Sequence, residues 1–243
     1  IVFGWLSGCN FRLAGKDWGV VFLLSLLRAV TSFSLIIAYQ NIASGVASTI
    51  HFMYPLAVAL AMMFFFREKK SLLVILAVLM SLLGAALLSL GELEAKSGNT
   101  MVGLVAACVS VFSYAGYIVG VRTTRAVQIN STALTCYVMG LGTIFYLIGA
   151  YCTSGLQLVS DGYTWLIILG LALPATAISN ITLVQAIKYA GPTLTSILGA
   201  MEPLTAVVIG VFVFKELFTV NSAVGIILIL LAVSIVVFRR QKS

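Results

Sequence analysis

The chain has 243 residues, of which 61% are hydrophobic and 9% are charged, and its mean hydropathy is +1.14. A soluble domain carries about a quarter charged residues, so this composition excludes a water-soluble globule and favours a membrane protein. The net charge of +7 does not indicate nucleic-acid binding, because the basic residues stand at the ends of apolar runs and are not interleaved with aromatic residues.

Cysteine and histidine residues are too few and too scattered to predict a metal site. The four cysteines show no CxxC spacing, and the chain has one histidine. Isolated cysteines inside apolar runs are typical of small buried side chains. The sequence therefore predicts no metal and no cofactor, and the lack of a P-loop motif argues against direct use of ATP.

Eight apolar runs are long enough to cross a membrane as helices. They lack the period-two alternation of membrane β-strands, and helices are the other way to satisfy the backbone in lipid. We therefore predict an all-α, polytopic membrane helix bundle with spans at residues 18–42, 44–66, 71–90, 101–121, 132–152, 163–188, 192–214 and 221–238.

The basic residues divide unevenly between the two sides that these spans define. Eleven fall on one side, only Lys96 and Lys215 fall on the other, and Arg28 lies within a span. Because cytoplasmic loops are enriched in Lys and Arg, we predict a multi-pass protein of the cell (cytoplasmic) membrane with its C-terminus in the cytoplasm. The eleven are Arg12, Lys16, Arg67, Lys69, Lys70, Arg122, Arg125, Lys188, Arg239, Arg240 and Lys242.

The chain matches itself when it is shifted by 148 residues. Met53-Tyr-Pro-Leu56 then aligns with Met201-Glu-Pro-Leu204, and Arg67-Glu68 aligns with Lys215-Glu216. The first three spans map onto the last three, which lie five spans further along the chain. Because successive spans alternate in direction and five is an odd number, the two copies run through the membrane in opposite directions. This pattern predicts two inverted five-helix repeats, which is an arrangement typical of secondary transporters.

The two copies differ in the number of spans that they contain. The second copy, residues 101–239, has five spans, whereas the first, residues 1–90, has three. We therefore predict that the first copy lacks its first two helices and that this chain is an N-terminally truncated form of a ten-helix protein. A longer gene or transcript is the expected finding, and a native start codon just before Ile1 would contradict this prediction.

Three stretches resemble the EamA-type carriers of the drug/metabolite transporter superfamily. They are Leu198-Gly-Ala-Met-Glu-Pro-Leu204, Phe214-Lys-Glu-Leu217 and the apolar run 224–233. The first copy repeats the pattern in Met53-Tyr-Pro-Leu56 and Arg67-Glu68. The resemblance covers about residues 18–238, and it implies inverted five-helix EamA repeats, both chain ends in the cytoplasm, and a cavity that draws on both repeats.

Ionisable side chains at membrane depth are costly and often functional. Glu202 is a candidate for proton coupling or for binding a substrate amine, and the alternative is a structural glutamate hydrogen-bonded beside Pro203. Arg28 is a candidate counter-ion for a substrate carboxylate, with an ion pair to Glu202 or a snorkelling side chain as alternatives. His51 is interpreted as a hydrogen-bonded structural histidine or as a pH-sensing one.

Each of these residues lies on a polar stripe of its predicted helix, and we expect the stripes to face a cavity. Tyr54 occupies the repeat position of Glu202, and Asn180, Ser113 and Tyr117 are further candidates for substrate contact or coupling. The stripes are Arg28, Thr31, Ser32 and Tyr39; Ser44, Ser48, His51 and Tyr54; Ser110, Ser113, Tyr114 and Tyr117; Thr176, Ser179, Asn180 and Gln185; and Thr195, Gly199, Glu202 and Thr205.

The sequence therefore predicts a secondary transporter, and specifically an exporter, of small polar or amphipathic metabolites by alternating access. The expected partners are a small-molecule substrate and the lipid bilayer, no nucleic acid is expected, and a homodimer is left open. The alternatives are a channel, a structural membrane subunit and an integral-membrane enzyme. An enzyme is the poorest of these, because a nucleophile with a base or a metal-ligand set is lacking at membrane depth.

Overall fold

A computed structural model describes residues 11, 13–66, 72–89, 98–153, 161–199, 201–212 and 220–241. Within these ranges the secondary structure is entirely helical, and the prediction of an all-α, polytopic helix bundle is confirmed. The Arg67-Glu68 and Lys215-Glu216 pairs, which supported the repeat, lie outside the described residues.

The α-helices occur in the order of the predicted spans and cover nearly the same residues. A short 3₁₀ turn, Gly15–Asp17, precedes the first helix, and a second, Arg125–Gln128, precedes the sixth. The α-helices are α1 (Trp18–Asn41), α2 (Ser44–His51), α3 (Tyr54–Phe65), α4 (Leu72–Ser89), α5 (Thr100–Thr123), α6 (Ser131–Thr153), α7 (Gly162–Gly170), α8 (Ser179–Ala190), α9 (Pro192–Leu198), α10 (Met201–Phe212) and α11 (Val220–Gln241).

Five helical stretches in the described part are long and apolar enough to cross a membrane. Two shorter apolar helices, Leu72–Gly84 and Ala223–Ile235, correspond to the third and eighth predicted spans. The second, sixth and seventh predicted spans are each interrupted. The five long stretches are Gly15–Asn41, Val46–Phe65, Thr100–Thr123, Ser131–Gly149 and Gly162–Ala190.

A proline explains the break in each of the second and seventh spans. Pro55 lies in the first turn of α3, and Pro203 lies in the first turn of α10. Proline has no N–H to donate to the carbonyl four residues earlier and is best tolerated in the first turn of a helix. Pro203 therefore cannot donate to the carbonyl of Gly199, and that carbonyl accepts a hydrogen bond from the Glu202 N–H at 2.9 Å instead.

The two breaks fall at equivalent repeat positions. α2 begins at Ser44 and α9 at Pro192, which are 148 residues apart, and α3 and α10 begin within one residue of the same offset. The repeated sequence therefore gives a repeated local structure, in which each copy contains a helix divided into two halves before its proline.

The sixth span is interrupted differently, by a π-helical segment at Leu171–Ile178 that contains Pro174. A π-segment changes the direction of the side chains that follow it. Hydroxyl groups accept this irregular geometry by donating to backbone carbonyls: Ser179 donates to Ala175 and Thr182 donates to Ile178.

Asp161 caps the preceding α7, and hydrogen bonds from the Thr164 N–H, the Thr164 hydroxyl and the Tyr163 N–H lower the pKa of its carboxyl group.

The chain folds into two compact units. One contains Ile1–Ala29 with Gly120–Gly191, and the other contains Val30–Val119 with Pro192–Ser243. In the first unit, Trp18 packs edge-to-face on Tyr137 with ring centroids 5.5 Å apart, and Ser25 donates to the carbonyl of Val138 at 2.9 Å. These contacts hold the start of α1 against α6.

Basic side chains connect the ends of helices in the first unit. The buried Lys188 donates to the carbonyl of Ile129, and Arg122 donates to the carbonyl of Lys188 at 2.5 Å. Arg125 forms an ion pair with Asp17 at 3.1 Å. Lys188, interpreted from sequence as one of the charges that set topology, is therefore also a packing residue between the end of α8 and the segment after α5.

The second unit is built on the packing of α4 against α11. A Cβ atom added to Gly84 would lie 2.7 Å from the carbonyl oxygen of Gly225 and 2.7 Å from a side-chain carbon of Ile229. Ala77 and Ala232, two turns from these glycines, belong to one buried cluster. Small residues allow this close approach. The contact of Gly84 with Gly225, and the presence of Ala77 and Ala232 in one cluster, fit two helices that run antiparallel.

We expect Gly84→Ala to destabilise the protein by about 1–3 kcal/mol, because the new methyl group would overlap the α11 backbone. Thermal unfolding in detergent measures the effect. Gly140→Ala in α6 is the matched control, since nothing lies within 4 Å of a Cβ atom at that helical glycine. Equal melting temperatures for the two variants would contradict the close α4–α11 contact.

Candidate functional site

The two interrupted helices meet at their breaks in the second unit. α3 packs against α9, and the hydroxyl of Tyr54 lies 1.8 Å from the position that a Cβ atom at Gly199 would occupy. Any side chain at residue 199 would therefore collide with Tyr54. Tyr54 is 2% exposed, so this contact lies in the interior of the unit.

His51 lies beside this contact, at the end of α2. Its ring centroid is 5.6 Å from that of Tyr54 and 5.4 Å from that of Tyr114 on α5, and the Tyr54 and Tyr114 rings are T-shaped at 4.7 Å. T-shaped aromatic pairs are favourable beyond the area that they bury. The three rings form a cluster, named here the aromatic cluster (His51, Tyr54 and Tyr114), at the junction of α2, α3 and α5.

Hydrogen bonding orients the imidazole of His51. Its Nδ1 lies 2.9 Å from the hydroxyl oxygen of Ser110, and Ser110 donates its own proton to the carbonyl of Ala107 at 2.6 Å. The Ser110 hydroxyl thus connects the His51 ring to the backbone of α5 and fixes the orientation of the imidazole.

A buried polar layer continues from the aromatic cluster along α5. Tyr117 is 1% exposed, and its ring stacks with that of Tyr114 at 6.3 Å. Ser113 accepts a hydrogen bond from Thr31 of α1 at 3.0 Å. The polar stripe predicted on the fourth span therefore faces the interior of the second unit, where α1 and α5 meet.

Glu202 lies in the first turn of the half-helix α10, directly after the break, and is exposed. The N-terminal end of a helix favours a negative charge. One turn before Gly199 on α9, Thr195 is buried, and within the described part of the chain its hydroxyl has no hydrogen-bond partner.

Arg28 and Asn180 come together in the first unit. The guanidinium of Arg28 donates to the side-chain oxygen of Asn180 at 3.1 Å, and the Asn180 side chain donates to the carbonyl of Thr176 at 2.7 Å. Asn180 is 5% exposed. The amide thus links a charged residue of α1 to the end of the π-segment, where the backbone is irregular.

A family model for the EamA-like transporter family matches residues 101–238, which is more than half of the chain. The chain belongs to the EamA-like transporter family. An uncharacterized transporter from Archaeoglobus fulgidus is 28% identical over 238 residues, covering 97% of this chain and 83% of that relative. The chain is therefore a membrane transporter, as the sequence predicts.

A solved crystal structure of a protein has the same fold as this EamA-like chain. The TM-score is 0.82 at 18% sequence identity, and the match covers 100% of this chain and 84% of that one. At this level of identity the likeness concerns the fold alone.

The predicted site residues of this EamA-like transporter fall into two groups. His51, Tyr54, Ser113 and Tyr117 lie together in the second unit, whereas Arg28 and Asn180 pair in the first. Sequence reasoning missed the contact of Tyr54 with Gly199 and the pairing of Arg28 with Asn180. The equal spacing of the two prolines is the signal that could have located the first of these contacts.

The predicted polar stripes contain both buried and exposed side chains. Thr31, Ser110 and Ser113 are buried, whereas Glu202 and Thr205 on α10 are exposed. On the sixth span, Asn180 is buried, whereas Thr176, Ser179 and Gln185 are exposed.

We expect Gly199→Ala to destabilise the protein by about 1–3 kcal/mol, because its methyl group would overlap the Tyr54 hydroxyl. Adding Tyr54→Phe removes that oxygen, and the nearest remaining atoms lie 3.1 Å from the new Cβ. The double variant should therefore recover most of the lost melting temperature. A double variant as unstable as Gly199→Ala, measured against Tyr54→Phe alone, would refute the contact.

We expect Asn180→Leu to cost about 1–3 kcal/mol of stability, because the Arg28 guanidinium loses the Asn180 acceptor. Adding Arg28→Met removes the charge and should restore part of the loss. The coupling is read from a double-mutant cycle of thermal unfolding, with the exposed Gln185→Leu on the same helix as the control. Additive effects of the two substitutions would count against a direct interaction.

Proposed function

We propose that this protein is a secondary carrier that exports small polar or amphipathic metabolites by alternating access. The observation that carries the proposal is the contact of two interrupted helices at equivalent repeat positions, with Tyr54 of α3 against Gly199 at the end of α9. Interrupted helices from inverted repeats form the substrate and ion sites of many carriers, near the middle of the bilayer.

The aromatic cluster is proposed as part of the substrate site. Aromatic rings and hydroxyl groups bind the apolar and polar parts of an amphipathic molecule. Ser113 and Tyr117 extend this surface, and the buried Thr195 hydroxyl offers a hydrogen bond to a ligand. Glu202 is proposed as the coupling residue, since its carboxylate lies at the start of a half-helix next to the break.

Arg28 and Asn180 are proposed as a separate polar element of the transport path. A guanidinium carries five N–H donors in a fixed planar arrangement and binds carboxylate groups well. The hydrogen bond to the Asn180 side chain at 3.1 Å orients the guanidinium. This supports a role for Arg28 toward a substrate carboxylate, in addition to its structural role.

We further propose that the protein lies in the cytoplasmic membrane with its C-terminus inside the cell. The uneven distribution of Lys and Arg residues supports this orientation. Under it, α3 and α9 are the cytoplasmic halves of their interrupted helices, and α2 and α10 are the outer halves.

We expect proteoliposomes containing the protein to take up radiolabelled amino acids or cationic drugs at a rate that saturates with substrate concentration. Unlabelled substrate loaded inside should accelerate the uptake of label, because a carrier exchanges substrates across one site. Liposomes without protein are the control. A flux that rises linearly with concentration, without acceleration by exchange, would indicate a channel and would contradict the proposal.

A further inference from the structure

Basic side chains gather in the first unit where α1 begins and α5 ends. Lys16 of the first 3₁₀ turn, Arg122 of the last turn of α5 and Arg125 of the second 3₁₀ turn are all exposed. An ion pair at 3.1 Å joins Arg125 to Asp17, the residue after Lys16, so the two 3₁₀ turns lie side by side. The group is named here the basic cluster (Lys16, Arg122 and Arg125), and its three positive charges face one negative charge, that of Asp17.

Both arginines of the basic cluster can bind a further acceptor. Arg125 contacts Asp17 through Nε, and its side chain is 52% exposed, whereas that of Asp17 is 16% exposed. Arg122 donates from one terminal nitrogen to the carbonyl of Lys188 at 2.5 Å. Because a guanidinium has five N–H donors, each arginine can donate to a phosphate group while it keeps its present contact.

Aromatic side chains continue from the basic cluster along α1 and α6. Trp18 directly follows Asp17 and is 46% exposed, and its ring packs on that of Tyr137. One turn further along α1, Phe22 is 51% exposed and packs on Phe145 of α6, with ring centroids 5.8 Å apart. Tryptophan and tyrosine are enriched at the level of the lipid headgroups. The basic cluster therefore lies at the edge of an apolar helix surface, at the level that lipid phosphate groups occupy.

We infer that the basic cluster and the neighbouring surface of α1 bind an anionic phospholipid. Its phosphate group accepts hydrogen bonds from Lys16, Arg122 and Arg125, and its acyl chains lie along Trp18 and Phe22. Arginine is well suited to this role, because its planar guanidinium can donate two parallel hydrogen bonds to a phosphate. The site shares no residue with the aromatic cluster, and it does not depend on which substrate the protein carries.

The surroundings of the basic cluster favour a lipid over a soluble phosphate. The three basic side chains are exposed, so salt in the water screens their attraction for a small anion. A lipid is held at this depth by its acyl chains, for which the exposed rings of Trp18 and Phe22 offer an apolar surface. Basic residues beside the ends of membrane helices attract anionic lipids by about fivefold each.

Quenching of tryptophan fluorescence tests this inference with the full chain in lipid vesicles. The chain has three tryptophans, and Trp5→Phe with Trp165→Phe leaves Trp18 as the reporter. The vesicles contain phosphatidylcholine and phosphatidylglycerol, and one of the two lipids carries bromine atoms on its acyl chains, which quench nearby indole rings. Comparing the two brominated lipids gives the preference for anionic lipid at Trp18.

We expect a preference for phosphatidylglycerol of about 25-fold, since the basic cluster exceeds its acidic neighbour by two charges at about fivefold each. Lys16→Gln and Arg122→Gln should each lower this preference to about fivefold. Lys16→Arg keeps the charge and should keep the preference. Arg239→Gln on α11, in the second unit, removes one positive charge elsewhere and should leave the quenching of Trp18 unchanged.

Equal quenching of Trp18 by the two brominated lipids would overturn the inference. An equal loss of preference in Arg239→Gln would also overturn it, because the net charge of the protein would then attract the lipid. If millimolar phosphate removes the preference and chloride at the same ionic strength does not, the basic cluster binds a soluble anion instead. Lys16 is exposed and precedes α1, so Lys16→Gln decides the question even if Arg122→Gln lowers stability.

Discussion

The absence of an N–H group on proline is the constraint on which the second unit depends. Pro55 and Pro203 cannot donate to the carbonyls of His51 and Gly199, so neither helix continues through this point. Each span is divided into halves, and the polar ends of the halves are brought to the interior of the protein. Backbone groups of this kind are tolerated at membrane depth where other parts of the protein bury or satisfy them.

The surroundings of the breaks follow from this constraint. Gly199 is small, so Tyr54 can lie directly against it, and this draws α3 and α9 together. The Tyr54 ring then packs on Tyr114, and His51 lies beside both rings, where it is hydrogen-bonded to Ser110. The same unit contains the close packing of α4 on α11, where Gly84 lies against Gly225.

The sequence was sufficient to predict the membrane class, the order of the helices and the repeat, because length, hydropathy and the offset of 148 residues depend on local pattern alone. It did not predict the breaks, since a proline in an apolar run can kink a membrane helix without ending it. Whether a proline kinks a helix or ends it depends on how the neighbouring helices pack, as the contact of Tyr54 with Gly199 illustrates. The position of Glu202 at the start of α10 follows from the break and was missed with it. Likewise, the acceptor for Arg28 is 152 residues away in Asn180, and no local pattern pairs them.

The central claim is that the two interrupted helices are equivalent and cross the membrane in opposite directions. Phe64 and Phe212 are exposed residues near the ends of α3 and α10, and they are 148 residues apart. Phe64→Cys and Phe212→Cys, each in a background without native cysteines, can be labelled with a membrane-impermeant maleimide applied to one face or the other. Reaction of the two variants from opposite faces is the predicted result, with Phe64→Cys labelled from the cytoplasm. Reaction of both variants from the same face would contradict the inverted repeat and the carrier mechanism built on it.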